Sequence, residues 1–393
     1  MSLRTITETT LDYLDSKSEV EKEPVEGAIL VAQQAISQPV AAEKSLPPDK
    51  LTVEERETVG LYLEEIFLEA IRPLTPQIRE KMVREAARGF RALYIDEAKG
   101  AEGADFILNK LEQGGYDCYD RQFPFTEQLI KDLQPAPRDE HLRIQHFFNL
   151  IPSDDPDRSL QDLKIEEMTP SQLQDFKKYS EEERSLMREI NFGVASANIL
   201  ENTNIGYLKI TAFTRPDFEE TFQKIDEAMT KVKDATALVV DLRENNGGCP
   251  DTVARLASYF FDEKTILNRI YQRSTDTTTE FYAEPDQVFR FGEAKPVYIL
   301  VGSKTCSAGE EFAYDLQARK RAVVIGQTTW GGAHPTRNFV IDDHFFLRIP
   351  NKKAKNPITD KNWETDGVIP DHKMAPTEDA LTKAISLLDG GVL

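Results

Sequence analysis

Four stretches of this chain hold residue types that together suit acyl transfer. The first is PVYILVGSKTCSAGEEFAYDLQ, where an apolar run to Gly302 gives way to a short polar turn and then a helical pattern from Ala308. Ser307 stands at that junction. Backbone N–H groups at a helix start have no partner within the helix, and the helix dipole favours negative charge there. A serine so placed can attack a carbonyl while the amide of the next residue, Ala308, stabilises the oxyanion. The same spelling, serine followed three residues later by Glu310, also describes a plain capping box. Cys306, next to Ser307, is a rival nucleophile, but a neighbouring position directs its side chain away from that of Ser307.

The second stretch, ALVVDLRENNGGCPDTV, reads as a buried strand ending in a glycine turn before a helix. Gly247 and Gly248 allow a backbone N–H to approach a ligand closely and are candidates for a second oxyanion donor. The sequence does not say which of them serves. Asp241 and Arg243 suit a structural pair at the strand end. The third stretch, PRDEHLRIQHF, carries His141 and His146, two of only five histidines, so a general base should be sought there. Their spacing does not set a metal pair on one helical face. His334, in GGAHP, is the alternative base. The fourth stretch, KNWETDGVIPDHK, sets Glu364 beside Trp363, where it could orient a histidine.

These residues need a scaffold, and the pattern around them supplies one. From Asn191 onward, strand-like and helix-like segments alternate: IGYLKITAF, then PDFEETFQKIDEAMTKVKD, ATALVVDLR, DTVARLASYFF, PVYILVG, AGEEFAYDLQARK and RAVVIGQ. Such alternation predicts an α/β sheet with crossover connections over residues 191–393. Helical periodicity runs from Thr52 to about Gln134, so residues 51–150 are expected to form a helical domain. Residues 1–50, with Pro47-Pro48, read as an arm or linker, and the polar, acidic segment 151–190 as a connector.

The bulk properties limit what else the chain can be. With 393 residues, 40% hydrophobic and 30% charged, it has material for two or three folded units. A net charge of −20 makes nucleic acid a poor partner. Three cysteines without a CxxC pair support neither a zinc site nor a disulfide framework, and suit a reducing compartment. No run reaches the ~20 apolar residues of a membrane span, and the first residues have no apolar signal core. The expectation is a cytoplasmic protein, or an extracytoplasmic one if a leader precedes these residues.

In this order, GYLKITAF, LVVDLRENNGG, TCSAGEEFAY, GQTTWGGAHP and WETDGVIPD resemble the tail-specific, C-terminal-processing serine protease superfamily. With GGYDCYDRQFPFTEQLIKDLQ and DEHLRI before them, they look most like the branch of the tricorn core and the interphotoreceptor retinoid-binding protein. The resemblance spans about residues 55–375. It implies an α/β (α+β) chain with a helical N-terminal domain and a ClpP/crotonase-like catalytic domain. It also implies Ser307 as nucleophile, His141 as base, Glu364 completing the site, and Ala308 with Gly247 or Gly248 as oxyanion donors. Glu310 would support the site. The bacterial members use a Ser-Lys dyad, but Gly332 falls about where that lysine would stand, which favours Ser-His-Glu. Segment 151–190 is too short for the PDZ domain those members carry. The implied activity is peptide-bond hydrolysis through an acyl-enzyme, on a peptide or protein substrate, with no cofactor or metal; a homo-oligomer is left open. The alternatives are a non-catalytic carrier of retinoid or fatty acid on the same architecture, and an esterase acting on small molecules.

Overall fold

The computed structural model describes residues 72–146, 181, 183–285 and 289–389. The expected arm 1–50, the start of the helical region at Thr52, and residues 151–180 and 182 of the connector lie outside them.

Buried apolar strands build the central sheet. β3 (Ile205–Ile210), β4 (Ala237–Asp241), β7 (Val297–Val301) and β8 (Val323–Gly326) run parallel, with the short β12 (His372–Lys373) beside β8. β2 (Val194–Ile199) closes the far edge antiparallel to β3, giving the order β12-β8-β7-β4-β3-β2. Every residue of β4 and β7 is buried, as a strand covered on both faces requires. The helices Glu219–Val232, Pro250–Ala257 and Ala308–Ala318 contribute to the core on one face through Ile225, Met229, Val253, Leu256, Phe312 and Leu316. The helix Ala380–Asp389 packs on a second cluster with Val239, Tyr298, Leu300 and Ile325. A three-stranded sheet of β11 (Lys352–Lys355), β5 (Thr265–Gln272) and β6 (Thr277–Ala283) flanks this unit.

Three further helices, Pro76–Leu93, Glu97–Glu112 and Gln122–Leu133, occupy the region expected to be helical. Thr75 caps the first, accepting from the Ile78 N–H, and its proline at the first turn needs no donor. Their apolar faces do not close on themselves alone. Met82, Phe90, Phe125 and Leu129 share a core with Phe339, Phe345, Leu347 and Ile349 from β9 (Thr336–Asp342) and β10 (Phe345–Pro350). β1 (Arg143–His146) then adds itself antiparallel to β10, pairing Arg143 with Arg348. The helical region is thus joined through sheet β1-β10-β9 to a hairpin emitted by the C-terminal half.

Candidate active site

Ser307 immediately precedes the helix Ala308–Ala318 with φ 51° and ψ −117°. That backbone is costly for a residue with a Cβ and is held by its surroundings. The Ser307 N–H donates to Glu310 Oε2 at 2.8 Å, so the glutamate half of the expected capping box is in place. Two connections hold the turn from below. Thr305 Oγ1 donates to the Leu242 carbonyl at 2.7 Å, and the Cys306 N–H donates to the Asn245 carbonyl.

The glycine turn lies directly against the serine. A Cβ on Gly247 would stand 2.8 Å from Ser307 Cβ and 3.4 Å from the Ala308 nitrogen. Gly248 has φ +137°, and a Cβ there would lie 1.9 Å from the Phe213 carbonyl oxygen. No other residue type fits at Gly248 without moving backbone. The two N–H groups have different roles. That of Gly247 donates to Asn245 Oδ1 at 2.9 Å. Phe213 donates to the Gly247 carbonyl and accepts from the Cys249 N–H, passing over Gly248 in between. The Gly248 N–H therefore points away from Phe213, and among the described residues it has no hydrogen-bond partner. Asp241 and Arg243 form the expected pair at the strand end, with Nη2 2.6 Å from Oδ2.

Glu310 is fully buried and accepts four hydrogen bonds: from Ser307 N–H, Thr329 Oγ1, Gly331 N–H and Gly332 N–H. Burial pushes this carboxyl up, to about 7, while the four donors pull it back. Its Oε2 alone serves both Ser307 and Gly332, so one side chain ties the serine turn to the GGAH turn.

His141 packs on that second turn. Its ring lies edge-on to Trp330 with centroids 4.9 Å apart, and a Cβ on Gly332 would stand 2.6 Å from its Cε1. The ring is buried, and its Nδ1 has no hydrogen-bond partner among the described residues. Desolvation drives its pKa down to about 3, against the pull of Asp139 and with help from Arg143, Arg348 and His334. The imidazole is therefore uncharged at neutral pH, so one ring nitrogen can act as a hydrogen-bond acceptor, while burial makes it a weaker base than a free histidine. His146, the other histidine of the same stretch, lies at the end of β1 against His344 and Phe345.

The fourth stretch clamps the GGAH turn from outside. Trp363 Nε1 donates to the Gly332 carbonyl at 2.8 Å, Glu364 Oε2 accepts from the Ala333 N–H at 2.6 Å, and the Thr365 N–H donates to the Gly331 carbonyl. The histidine beside Glu364 is His334, Nδ1 to Oε2 3.5 Å, rather than His141. Burial raises the Glu364 carboxyl, and His334 opposes that rise. His334 Nδ1 sits closer still to Asp139, at 3.0 Å, and Asp139 also accepts from Tyr94 Oη and from the His141 backbone N–H. Asp139, His334 and Glu364 offer ligand atoms within 4.8 Å of one another, enough to hold a cation, but their mutual contacts already account for the grouping. Cys306 is a poor nucleophile, since burial and then Glu310 push its thiol up to about 12.

Sequence reasoning missed Asp139, Asn245, Thr329 and Trp330. Asp139 and Asn245 each stand two residues from a singled-out residue, which is the only sequence signal for them. Among the described residues no helix is long and apolar enough to cross a membrane.

A model of peptidase family S41 matches residues 204–374. The chloroplastic carboxyl-terminal-processing peptidase 2 of Arabidopsis thaliana is 27% identical over 172 residues, 43% of this chain and 32% of that protein. The carboxyl-terminal-processing protease of Synechocystis sp. is 25% identical over 203 residues, 48% of this chain and 45% of that protein. The chain thus spans less than half the length of these curated relatives. A solved Parabacteroides merdae protein, described as a candidate peptidase, has the same fold, with TM-score 0.52 at 18% identity over 81% of this chain and 100% of that one.

Proposed function

We propose that the peptidase family S41 domain formed by residues 204–374 makes this chain a serine peptidase in which Ser307 attacks the substrate carbonyl and His141 is the general base. The observation that carries the reading is the contact of the Gly247-Gly248 turn with a strained Ser307 at a helix start, where the Gly248 and Ala308 N–H groups have no partner among the described residues. His141 takes the proton of Ser307 Oγ as the Oγ–C bond forms. The oxyanion is held by the N–H groups of Ala308 and Gly248, each such donor contributing about 2.7–4 kcal/mol to the transition state. The imidazolium then gives its proton to the departing amine, and water cleaves the acyl-enzyme by the same route.

Glu310 positions both halves, because the oxygen that holds the serine backbone also holds the turn on which His141 packs. Asp139 positions the histidine segment through its backbone bond to His141 and its contact with His334. Glu364 acts one step further out than a triad acid would, through Ala333 and His334.

The test is covalent labelling with a neutral fluorophosphonate, alongside hydrolysis of a peptide library followed by mass spectrometry. The wild type should label at Ser307 and cleave peptides, Ser307→Ala should do neither, and His141→Asn should lose both while keeping its melting transition. Peptide cleavage that survives Ser307→Ala overturns the proposal. Cleavage that survives His141→Asn but not His334→Asn transfers the base to His334.

A further inference from the structure

A turn of two adjacent glycines has little to hold its shape from within. Gly247 and Gly248 both have positive φ, +87° and +137°, and without a Cβ neither resists rotation of the peptide planes on its two sides. The proposed oxyanion donor depends on those planes, because a planar trans peptide points its N–H and its C=O in opposite directions. The plane between Gly247 and Gly248 is set by Phe213, whose N–H donates to the Gly247 carbonyl at 2.8 Å and so turns the Gly248 N–H the other way. The plane before it, between Asn246 and Gly247, is set by one side chain: the Gly247 N–H donates to Asn245 Oδ1 at 2.9 Å. Among the described residues this is the only side-chain hydrogen bond to residues 246–248.

Asn245 is fully buried and is itself held at every polar group. Its Nδ2 donates to the Ile210 carbonyl at the end of β3, 3.0 Å away. Its N–H donates to the Leu242 carbonyl, and its carbonyl accepts from the Cys306 N–H beside Ser307. These partners also fix which end of the amide is which, since an N–H faces Oδ1 and a carbonyl faces Nδ2. The same oxygen reaches the helix that Ser307 begins. A Cβ on Gly309, the second residue of helix Ala308–Ala318, would stand 2.5 Å from Asn245 Oδ1. That oxygen has no room to retreat without releasing Gly247. One side chain therefore ties together β3, the glycine turn and the first turn of the nucleophile's helix.

We infer that Asn245 is a positioning residue of the oxyanion hole: its amide holds the glycine turn in the peptide orientation that leaves the Gly248 N–H, and not that of Gly247, to the substrate oxygen. This rests on the proposed reading of Ser307 and adds to it a residue that acts only through the turn. Without the Asn245 oxygen, the plane before Gly247 is free to rotate and the donor beyond it loses its aim. The oxyanion exists only as the carbonyl is attacked, so the loss falls on the transition state and leaves ground-state binding of the peptide in place.

The experiment uses the full chain and one peptide that the wild type cleaves. It measures kcat, KM, the melting transition, and inhibition by a peptidyl trifluoromethyl ketone, whose tetrahedral adduct on Ser307 carries the oxyanion. Asn245→Ala should lower kcat about a hundredfold with KM within about three-fold, at pH 5 and pH 8 alike, as expected for one lost oxyanion donor. Asn245→Asp carries its own control. The protonated acid has the shape of the amide, accepting from Gly247 and donating to Ile210, whereas the ionised acid turns an acceptor on the Ile210 carbonyl. Burial favours the protonated form at pH 5. The kcat of Asn245→Asp, divided by that of the wild type at the same pH, should therefore be about ten-fold or more higher at pH 5 than at pH 8. Gly309→Ala places a better helix former at a position of ordinary φ, so it should melt within a few degrees of the wild type. By pressing on Asn245 Oδ1 it should still lose about ten-fold in kcat. Affinity for the ketone should fall in step with kcat, while uncleaved peptide binds the same variants in a Ser307→Ala background within about three-fold of the parent. The inference is overturned if Asn245→Ala keeps kcat within about three-fold of the wild type, or if the Asn245→Asp ratio is the same at both pH values. Should Asn245→Ala fail to fold, the other two variants decide: an unchanged kcat in Gly309→Ala together with a pH-independent Asn245→Asp ratio overturns it. A wild type whose Ser307 takes no fluorophosphonate label overturns the catalytic reading itself, whereas intact labelling without these losses overturns the role of Asn245 alone.

Discussion

Replacing Gly332 by alanine is the sharpest test of the histidine assignment, because it adds one methyl group and removes nothing. The Cβ would stand 2.5 Å from Trp330 Cζ3, 2.6 Å from His141 Cε1 and 2.8 Å from His141 Nδ1. Ordinary contact begins at 3.4 Å, so the neighbours must give way by 0.6 to 0.9 Å (3.4 − 2.8 and 3.4 − 2.5). Gly332 is absent from the residues of positive φ, so the backbone itself tolerates alanine. The imidazole sits at the edge of Trp330 and above the new methyl group, and it must shift by most of that distance. Overpacking of this kind costs about 1–3 kcal/mol of stability. Misplacing a catalytic group by about 1 Å costs about 10²-fold in rate. The expected result is a folded protein, melting a few degrees lower, whose kcat/KM and second-order labelling rate at Ser307 both fall about a hundredfold. Calorimetry and stopped peptide-hydrolysis assays on the same samples would separate the two effects. A Gly332→Ala protein with kcat/KM within three-fold of wild type would refute the placement of the base on His141.

Other outcomes follow from the same geometry. Ser307→Gly should abolish labelling yet raise the melting temperature above that of Ser307→Ala, because glycine relieves a φ of 51° worth about 1–3 kcal/mol and serves nearly as well as an N-cap. Glu310→Ala should cost several kcal/mol by leaving four buried donors unpaired, at roughly 1–3 kcal/mol each, and Glu310→Gln should cost less stability yet still depress kcat; urea melts and kinetics would show both. His141, held neutral in the fold and protonated in the unfolded chain below its ordinary pKa of 6.5, contributes stability that is present above pH 6.5 and lost as pH falls toward 3. His141→Asn should therefore flatten the pH dependence of stability across that window by up to about 1.4 kcal/mol per pH unit, measured as the difference between two denaturation series. Asp315, whose buried carboxyl is raised by desolvation and by Glu311, destabilises the fold as pH rises above its ordinary range; Asp315→Asn should thus be the more stable protein at pH 8 and nearly equal at pH 4.

Much of this was legible in the residues. Short runs of apolar, β-branched and aromatic residues located β3, β4, β7 and β8, because strands covered on both faces are continuously apolar, and helical periodicity located the helices between them. The turns holding Ser307 and the glycine pair were legible for a related reason: polar turns after buried strands leave few places for chemistry. The partners of Glu364 were not legible. Its carboxylate meets Ala333 and His334 because Trp363 anchors one turn on another, a contact between loops with no periodicity. The role of Glu310 was half visible, since its sequence position specified the bond to Ser307 but could not show that Thr329, Gly331 and Gly332 converge on the same carboxylate. Likewise, helical periodicity gave the N-terminal helices but not their shared core with β9 and β10, which depends on a pairing across some two hundred positions.

That pairing has a mechanical consequence for the proposed activity. The proposed nucleophile and oxyanion donors are carried by one half of the chain and the proposed base by the other, and the segment that bears His141 runs straight into the four-residue strand Arg143–His146, which pairs with β10 beside the shared core. A ligand that pried this strand from β10 would silence the protein from a distance, without occupying the cleft. On the proposed reading, a fragment lacking the first half would keep Ser307 and lose His141.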